Sequence, residues 1–494
     1  MANHENEEEP RDPRRQVREI ADSLAIAFIL AMIIRHYVLE VFKIPTKSME
    51  PTLLGDPWTG DKILVNKFAY DFRDPKRWEI GVFKYPEDIS KNYIKRFVGL
   101  PGERIRIRGG DVYINGKIAR KPWRVQQALW RRRGHELFRL PPALMKCGAD
   151  DLYWLASIPD ARLAALRRMS RRELAYRGLA WLRDIPPGQL HAIRCLSGAE
   201  LAWLRKIQGA NPPDDPRVAW VQKRQESGAE FWVPDDPTRW RLDGRDFIAE
   251  CDDSENVEYL TYGAETAGYR RQILAYEERN LRGRPFRPVP TTDFMLTFRL
   301  TPARLAGSLH VVITIEQAAA LRDVVDNWNI VFPLTEGDAR VVVSRSGAVV
   351  ARSKPFRLEA GEPRDIAVCN VDRTIIVRMD DQELLRHEYE PSRHVFERRG
   401  FMADATVAIG CKATTVRIGS PAISVDVYYT EYPDRRAVRE PFQLGPDEFF
   451  VLGDNSCNSN DSRGWRNHGA VPRDYLVGEA FMVLWPLGRI KLVR

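Results

Sequence analysis

RIRIRGGDVYINGK, residues 104 to 117, decides how the N-terminal part of the chain folds. Ile105 and Ile107 alternate with Arg104, Arg106 and Arg108, the two-residue period of a strand with one buried face. Asn115-Gly116 then supplies a reversal: a type I′ turn needs positive φ at both central positions, which Asn and Gly accept at least cost. Upstream, DKILVNKFAY (61–70) and WEIGVFKYP (78–86) carry β-branched and aromatic residues between Pro and Gly punctuation. Residues 61 to 120 therefore read as a β-rich domain.

VREIADSLAIAFILAMIIRHYVLEVF, residues 17 to 42, precedes it. Its apolar core, Leu24 to Ile34, reaches the ~20 residues a bilayer requires only when Ile20 to Phe42 are included. Arg35 and His36 interrupt it, which a snorkelling arginine tolerates. No small-x-small cleavage site follows, against a secretory leader, and an amphipathic surface helix is the remaining rival. Arg11, Arg14, Arg15 and Arg18 lie before the segment and predict a cytoplasmic N-terminus. The expectation is a cytoplasmic tail (1–18) and a single transmembrane helix (19–42) in the plasma (inner) membrane, with everything later on the outer face.

Past about residue 134 the pattern turns helical. Ser170 with Glu173 and Ser197 with Glu200 match capping boxes, and IPDARLAALRRMSRRELA from Ile158 repeats as IPPGQLHAIRCLSGAELA from Ile185. His191 and Cys195 have a spacing metals use, but the first copy has Ala164 and Arg168 there, so packing is the better reading. Strand patterns return beyond about 229, with Ser346-Gly347 and Asp380-Asp381 as hairpin tips, and predict an antiparallel sandwich. VCNVDRTIIVRMDDQEL is similar in pattern to concanavalin-like or laminin-G-like jelly rolls, folds that often bind glycans. A glycan ligand is thus an expectation that fold-level analogy alone does not assign.

With 494 residues and 44% hydrophobic content the chain buries large cores and is not disordered. Its net charge of +8 is spread along the sequence. The densest basic run, Arg131 to Arg133, lacks an aromatic platform, so it reads as a solvated loop and no nucleic-acid partner is expected. Six scattered cysteines without C-x-x-C signal neither a zinc site nor a dense disulfide framework; isolated buried thiols are the better reading, with one or two bridges as the alternative. No metal or cofactor is expected.

Three stretches carry chemistry: IPTKSMEPTL (44–53), NYIKRFVGLPGERI (92–105) and FFVLGDNSCNSNDSRGW (449–465). A serine hydroxyl needs a neighbouring base, and a lysine serves if burial disfavours its ammonium form. Lys95 lies in a strand-like run, where alternation would turn its side chain inward and its neighbours outward. His468 is the one histidine near a motif and represents the rival Ser-His-Asp reading.

Behind an N-terminal anchor and in this order, the three stretches resemble the bacterial type I signal peptidases, membrane-anchored serine proteases with a Ser-Lys dyad. The resemblance covers about 1–124 and 434–494. It implies Ser48 as nucleophile, Lys95 as general base, Thr46 as an oxyanion donor beside the Ser48 amide, and Ser459 as the residue orienting the lysine amine. Asp454, Asn455, Asp461 and Arg463 become structural supports, with Asp461 and Arg463 as an ion pair, while Met49, Pro51 and Thr52 shape the turn. The substrates implied are signal-bearing precursor proteins, cleaved beside the lipid bilayer as they leave the translocation machinery. A self-cleaving repressor-type Ser-Lys protease, or a membrane-tethered glycan-binding protein with a relic peptidase half, are the alternatives. The fold class expected is mainly β: a signal-peptidase-like antiparallel catalytic domain (43–124 and 434–494), an inserted helical-repeat segment (125–228) and an inserted jelly-roll-like sandwich (229–433).

Overall fold

The computed structural model describes residues 18, 21–29, 38–133, 232–236, 238–252, 255–262, 273, 289–317, 324–390, 403–431 and 435–493. The expected helical repeats, with His191 and Cys195, lie outside them. Among the described residues the chain is mainly β and forms two compact units, one holding the chain up to Leu129 and again from Val427, the other taking its described residues from Trp130 to Asp426.

The first unit is built on an eight-stranded sheet of antiparallel pairs. In spatial order it runs Leu39–Lys43, Lys62–Asn66, Leu476–Trp485, Ile80–Tyr85, Asp88–Gly99, Glu448–Leu452 and Val471–Pro472, with Lys491–Leu492 added on Leu476–Trp485. A smaller sheet orders Phe442–Gln443, Arg104–Arg108, Asp111–Ile114 and Lys117–Ile118. Ile105 and Ile107 are buried together with Phe450 and Leu452, while Arg104, Arg106 and Arg108 face water, as the alternation predicts. Asn115 and Gly116 take φ of 51° and 84° at the hairpin tip.

Leu39–Lys43 corrects the expected anchor at its end. These residues pair with Lys62–Asn66, and Glu40 forms a salt bridge to Lys67, so the apolar run continues into a strand and not a helix. Residues 21–29 are helical, and no helix among the described residues is long and apolar enough to cross a membrane. Downstream, the helix Trp123–Leu129 packs Leu129 into the same cluster as Ile105, as do Val427 and Tyr429.

The second unit is a pair of antiparallel sheets. One contains Arg131–Arg133, Trp240–Asp243, Asp246–Cys251, Phe294–Pro302, Arg364–Val371, Thr374–Met379, Gln382–Glu388 and Thr414–Val425. The other contains Trp232–Pro234, Glu258–Tyr262, Ser308–Gln317, Val324–Pro333, Val342–Arg345, Ala348–Arg352 and Ala403–Lys412. Leu296 and Leu300 from the first share one apolar cluster with Leu309, Val311 and Ile313 from the second. Both expected hairpin tips are present, with Ser346, Gly347 and Asp380 at positive φ. Arg131–Arg133 is not the solvated loop expected from its charge: it pairs along Ile423–Val425 as an edge strand, a place where basic side chains discourage further pairing.

Candidate active site

Ser48 occupies a single 3₁₀ turn, Lys47–Met49, on the connection between Leu39–Lys43 and Lys62–Asn66. Met49 pins the turn from below, fully buried against Ile44, Leu53 and Ile80. Pro51 follows in the half-buried bend, and the Thr52 hydroxyl donates to Asp454 Oδ2 at 2.6 Å. From the other side the Asn455 amide donates to the Ser48 carbonyl at 3.0 Å. Gly453 allows this approach, because a Cβ built there would lie 2.6 Å from both the Ser48 carbonyl oxygen and the Ser459 Cβ.

Lys95 reaches this turn from the strand Asp88–Gly99. Its Nζ lies 2.8 Å from Ser48 Oγ and donates to the Ile94 carbonyl at 3.0 Å. Lys95 is 4% exposed and Ser48 6%. The Thr46 hydroxyl donates to Ser48 Oγ at 3.4 Å. Ser459 is buried, but the Lys95 amine bonds to Ser48 and Ile94 and not to Ser459, whose hydroxyl packs on Gly453. His468 is hydrogen-bonded to Glu448, while the bonds to Ser48 Oγ among the described residues come from Lys95 and Thr46. The histidine reading therefore has no geometry behind it among the described residues.

The strand carrying Lys95 is buried on both faces from Lys95 to Gly99, which corrects the expected alternation. Arg96, absent from the sequence reading, is wholly buried and forks onto Asp454: Nε to Oδ1 at 2.8 Å and Nη2 to Oδ2 at 2.7 Å. A charge in so apolar a run requires a buried partner, and that requirement was the available signal. The expected Asp461–Arg463 pair is also present, with Arg463 Nε to Oδ1 at 2.9 Å and Nη2 to Oδ2 at 2.8 Å. Arg463 further donates to Thr430 Oγ1 and Ser456 Oγ, neither of which was singled out from sequence. Asp461 Oδ2 accepts from the Gly453 amide, so this pair fixes the loop that meets Ser48. Burial raises the Asp461 pKa, but Arg463 and the Gly453 amide more than reverse it and hold the carboxyl below its usual range.

Burial pushes the Lys95 pKa down to about 8, against the upward pull of Asp461 and Asp454. Suppressing the ammonium to this extent corresponds to about 3 kcal/mol, less than the 4 to 5 kcal/mol that a pKa near 7 would require. The two arginines matter here, since each neutralises a carboxylate that would otherwise hold Lys95 charged. The unfolded chain keeps Lys95 protonated up to the ordinary lysine value of 10.5, so the folded state gains stability from this group as pH rises from about 8 to 10.5. If the neutral amine is the working base, kcat/KM rises about tenfold per pH unit below 8 and levels above it; a profile still climbing at that slope past pH 10 would contradict a lowered lysine.

Comparison with known proteins agrees with this geometry. Residues 17–153 and 409–485 match the family described as signal peptidase, peptidase S26. Similar curated proteins include a probable signal peptidase I-2 of Synechocystis (40% identical over 111 residues, 22% of this chain and 49% of that protein). Others are the signal peptidases I of Pseudomonas aeruginosa (39%, 20% of this chain and 38% of that protein) and Buchnera aphidicola (42%, 18% and 31%). The chain thus spans half or less of the length of these relatives. A solved Bacillus subtilis carbohydrate binding module aligns with 38% of this chain and 92% of its own at 9% identity and a TM-score of 0.25, which carries no argument. The two matched stretches, which are similar to the signal peptidase, peptidase S26 family, hold Ser48, Lys95 and the loop from Gly453 to Arg463.

Proposed function

We propose that this chain is a membrane-bound serine endopeptidase that removes signal peptides from secreted precursor proteins. The observation that carries the reading is the 2.8 Å contact of two buried groups, Lys95 Nζ and Ser48 Oγ. In its neutral form the amine accepts the hydroxyl proton as Oγ attacks the scissile carbonyl. The Ser48 amide and Thr46 Oγ1 receive the developing oxyanion, a donor typically worth ~3 kcal/mol at the transition state. The lysine then returns the proton to the departing amine, and water releases the acyl group. Ser459 takes its orienting role from the motif, and its side chain is buried in the loop beside Gly453. Incubating the purified full chain with a signal-bearing precursor tests the reading: release of the mature protein is expected, and an inert, folded wild type would contradict it.

The bilayer is the surface we assign to this chemistry. Lys43 Nζ donates to the Pro57 carbonyl, and Lys43 pairs through Lys62 to Trp485, so the loop bearing Trp58 and the segment from Trp485 to Ile490 meet at the sheet end from which Ser48's turn departs. Trp58 is 87% exposed and Leu487 67%, an apolar rim of the kind that enters a headgroup layer. Replacing Trp58, Trp485 and Leu487 by serine is expected to cut processing of vesicle-inserted precursor about tenfold or more while sparing a soluble peptide substrate; equal loss on both would defeat the rim. Single-pass topology with a cytoplasmic N-terminus, contact with the translocation machinery, and a glycan ligand for a jelly-roll-like inserted unit rest on the sequence pattern.

A further inference from the structure

Cys251 ends the strand Asp246–Cys251 in one sheet of the second unit, and Cys411 lies next to the end of Ala403–Lys412 in the other. Cys251 pairs with Thr414, and Thr414 follows Cys411 by three residues, so the tight connection between the sheets, turning at Ala413 with φ of 51°, carries one cysteine to the other. Both side chains belong to the apolar cluster the two sheets share, and both are buried free thiols. The other two described cysteines differ: Cys457 donates to Asn455 Oδ1, and Cys369 is buried on a separate strand, Arg364–Val371.

We propose that Cys251 and Cys411 are the site of a covalent modification, a disulfide that ties the two sheets of this unit together. Chemically, two thiols lose two protons and two electrons to a disulfide oxidant such as oxidised glutathione. One thiolate attacks the glutathione disulfide and expels a glutathione thiolate; the second attacks the mixed disulfide and expels the other, leaving one S–S bond and two molecules of reduced glutathione. Burial raises the Cys411 thiol well above its ordinary range, so thiolate is scarce once the core is packed, and the exchange takes place as the sheets close. The proposal draws on the outer-face reading above only for its oxidising surroundings. A bridge from Cys251 to Cys411 closes a loop of about 160 residues, long enough for the unfolded chain to be strongly constrained.

The test refolds the full chain in a glutathione redox buffer, alkylates it under denaturing conditions, and maps its six cysteines by peptide mass spectrometry. A peptide pair joined through Cys251 and Cys411 is expected, with both sites alkylated after reduction. Reduction should lower the melting temperature of the second unit by about 5 °C or more, and Cys251→Ala should start lower and not respond. Alkylation of both cysteines in the oxidised wild type, or a bridge from Cys251 to a different cysteine, would overturn the proposal whether or not the variant folds. Precursor processing is read in the same preparations: processing with both thiols free sinks only the bridge, and a bridge without processing sinks only the peptidase reading.

Discussion

Ser48→Ala and Lys95→Ala each lower kcat for precursor cleavage by on the order of 10⁴-fold or more, and combining them costs little beyond either alone. The expectation follows from the two groups acting as a unit: without Oγ there is nothing to acylate, and without the amine the hydroxyl keeps its proton. The folded state should survive. Ser48→Ala removes one oxygen from a turn held by Met49 and by the Asn455 amide. Lys95→Ala removes a cation whose burial the fold opposes, although it opens a cavity beside Tyr93, whose ring centroid lies 5.5 Å from Nζ. Lys95→Met refills that space and should be as inactive while melting no lower than Lys95→Ala. Residual activity above a tenth of wild type in either single variant would assign the chemistry to other residues.

Arg96→Met is expected to be the most damaging change to stability in the catalytic unit. It removes both guanidinium bonds from the wholly buried Asp454 carboxylate. Breaking such a pair from one side typically costs 3–5 kcal/mol, about 6–20 °C in melting temperature for a unit of this size. The double variant Arg96→Met, Asp454→Leu should recover much of this loss, because an apolar replacement of both partners leaves no orphaned charge. There is also a kinetic signature. Asp454 already pulls the Lys95 pKa upward, so loss of its arginine should move the pH–rate inflection to higher pH. A melting temperature within 2 °C of wild type, with an unmoved inflection, would show that the pair does neither.

How far the sequence disclosed this arrangement depended on the distance over which each interaction acts. The hairpin from Arg104 to Lys117 was readable because its burial pattern and its Asn-Gly turn are local. The Asp461–Arg463 pair was readable for the same reason, its members being two residues apart. Arg96 was missed because its partner, Asp454, is 358 residues away and because the strand is buried on both faces, which erases the alternation that would have marked an inward side chain. For Leu39 to Phe42, a largely apolar stretch does not by itself distinguish a helix from a strand; pairing with Lys62–Asn66 decides it. Lys95 itself looked like an ordinary amphipathic strand lysine, and only its association with the other two motifs pointed to Ser48.

Selective ¹³C labelling of lysine at the ε carbon, with Lys95→Met to identify the resonance, measures the decisive quantity in the resting enzyme. The Lys95 signal should titrate with an apparent pKa near 8, matching the inflection in kcat/KM. A signal that remains that of an ammonium until above pH 10 would mean that the amine beside Ser48 is not a base at neutral pH.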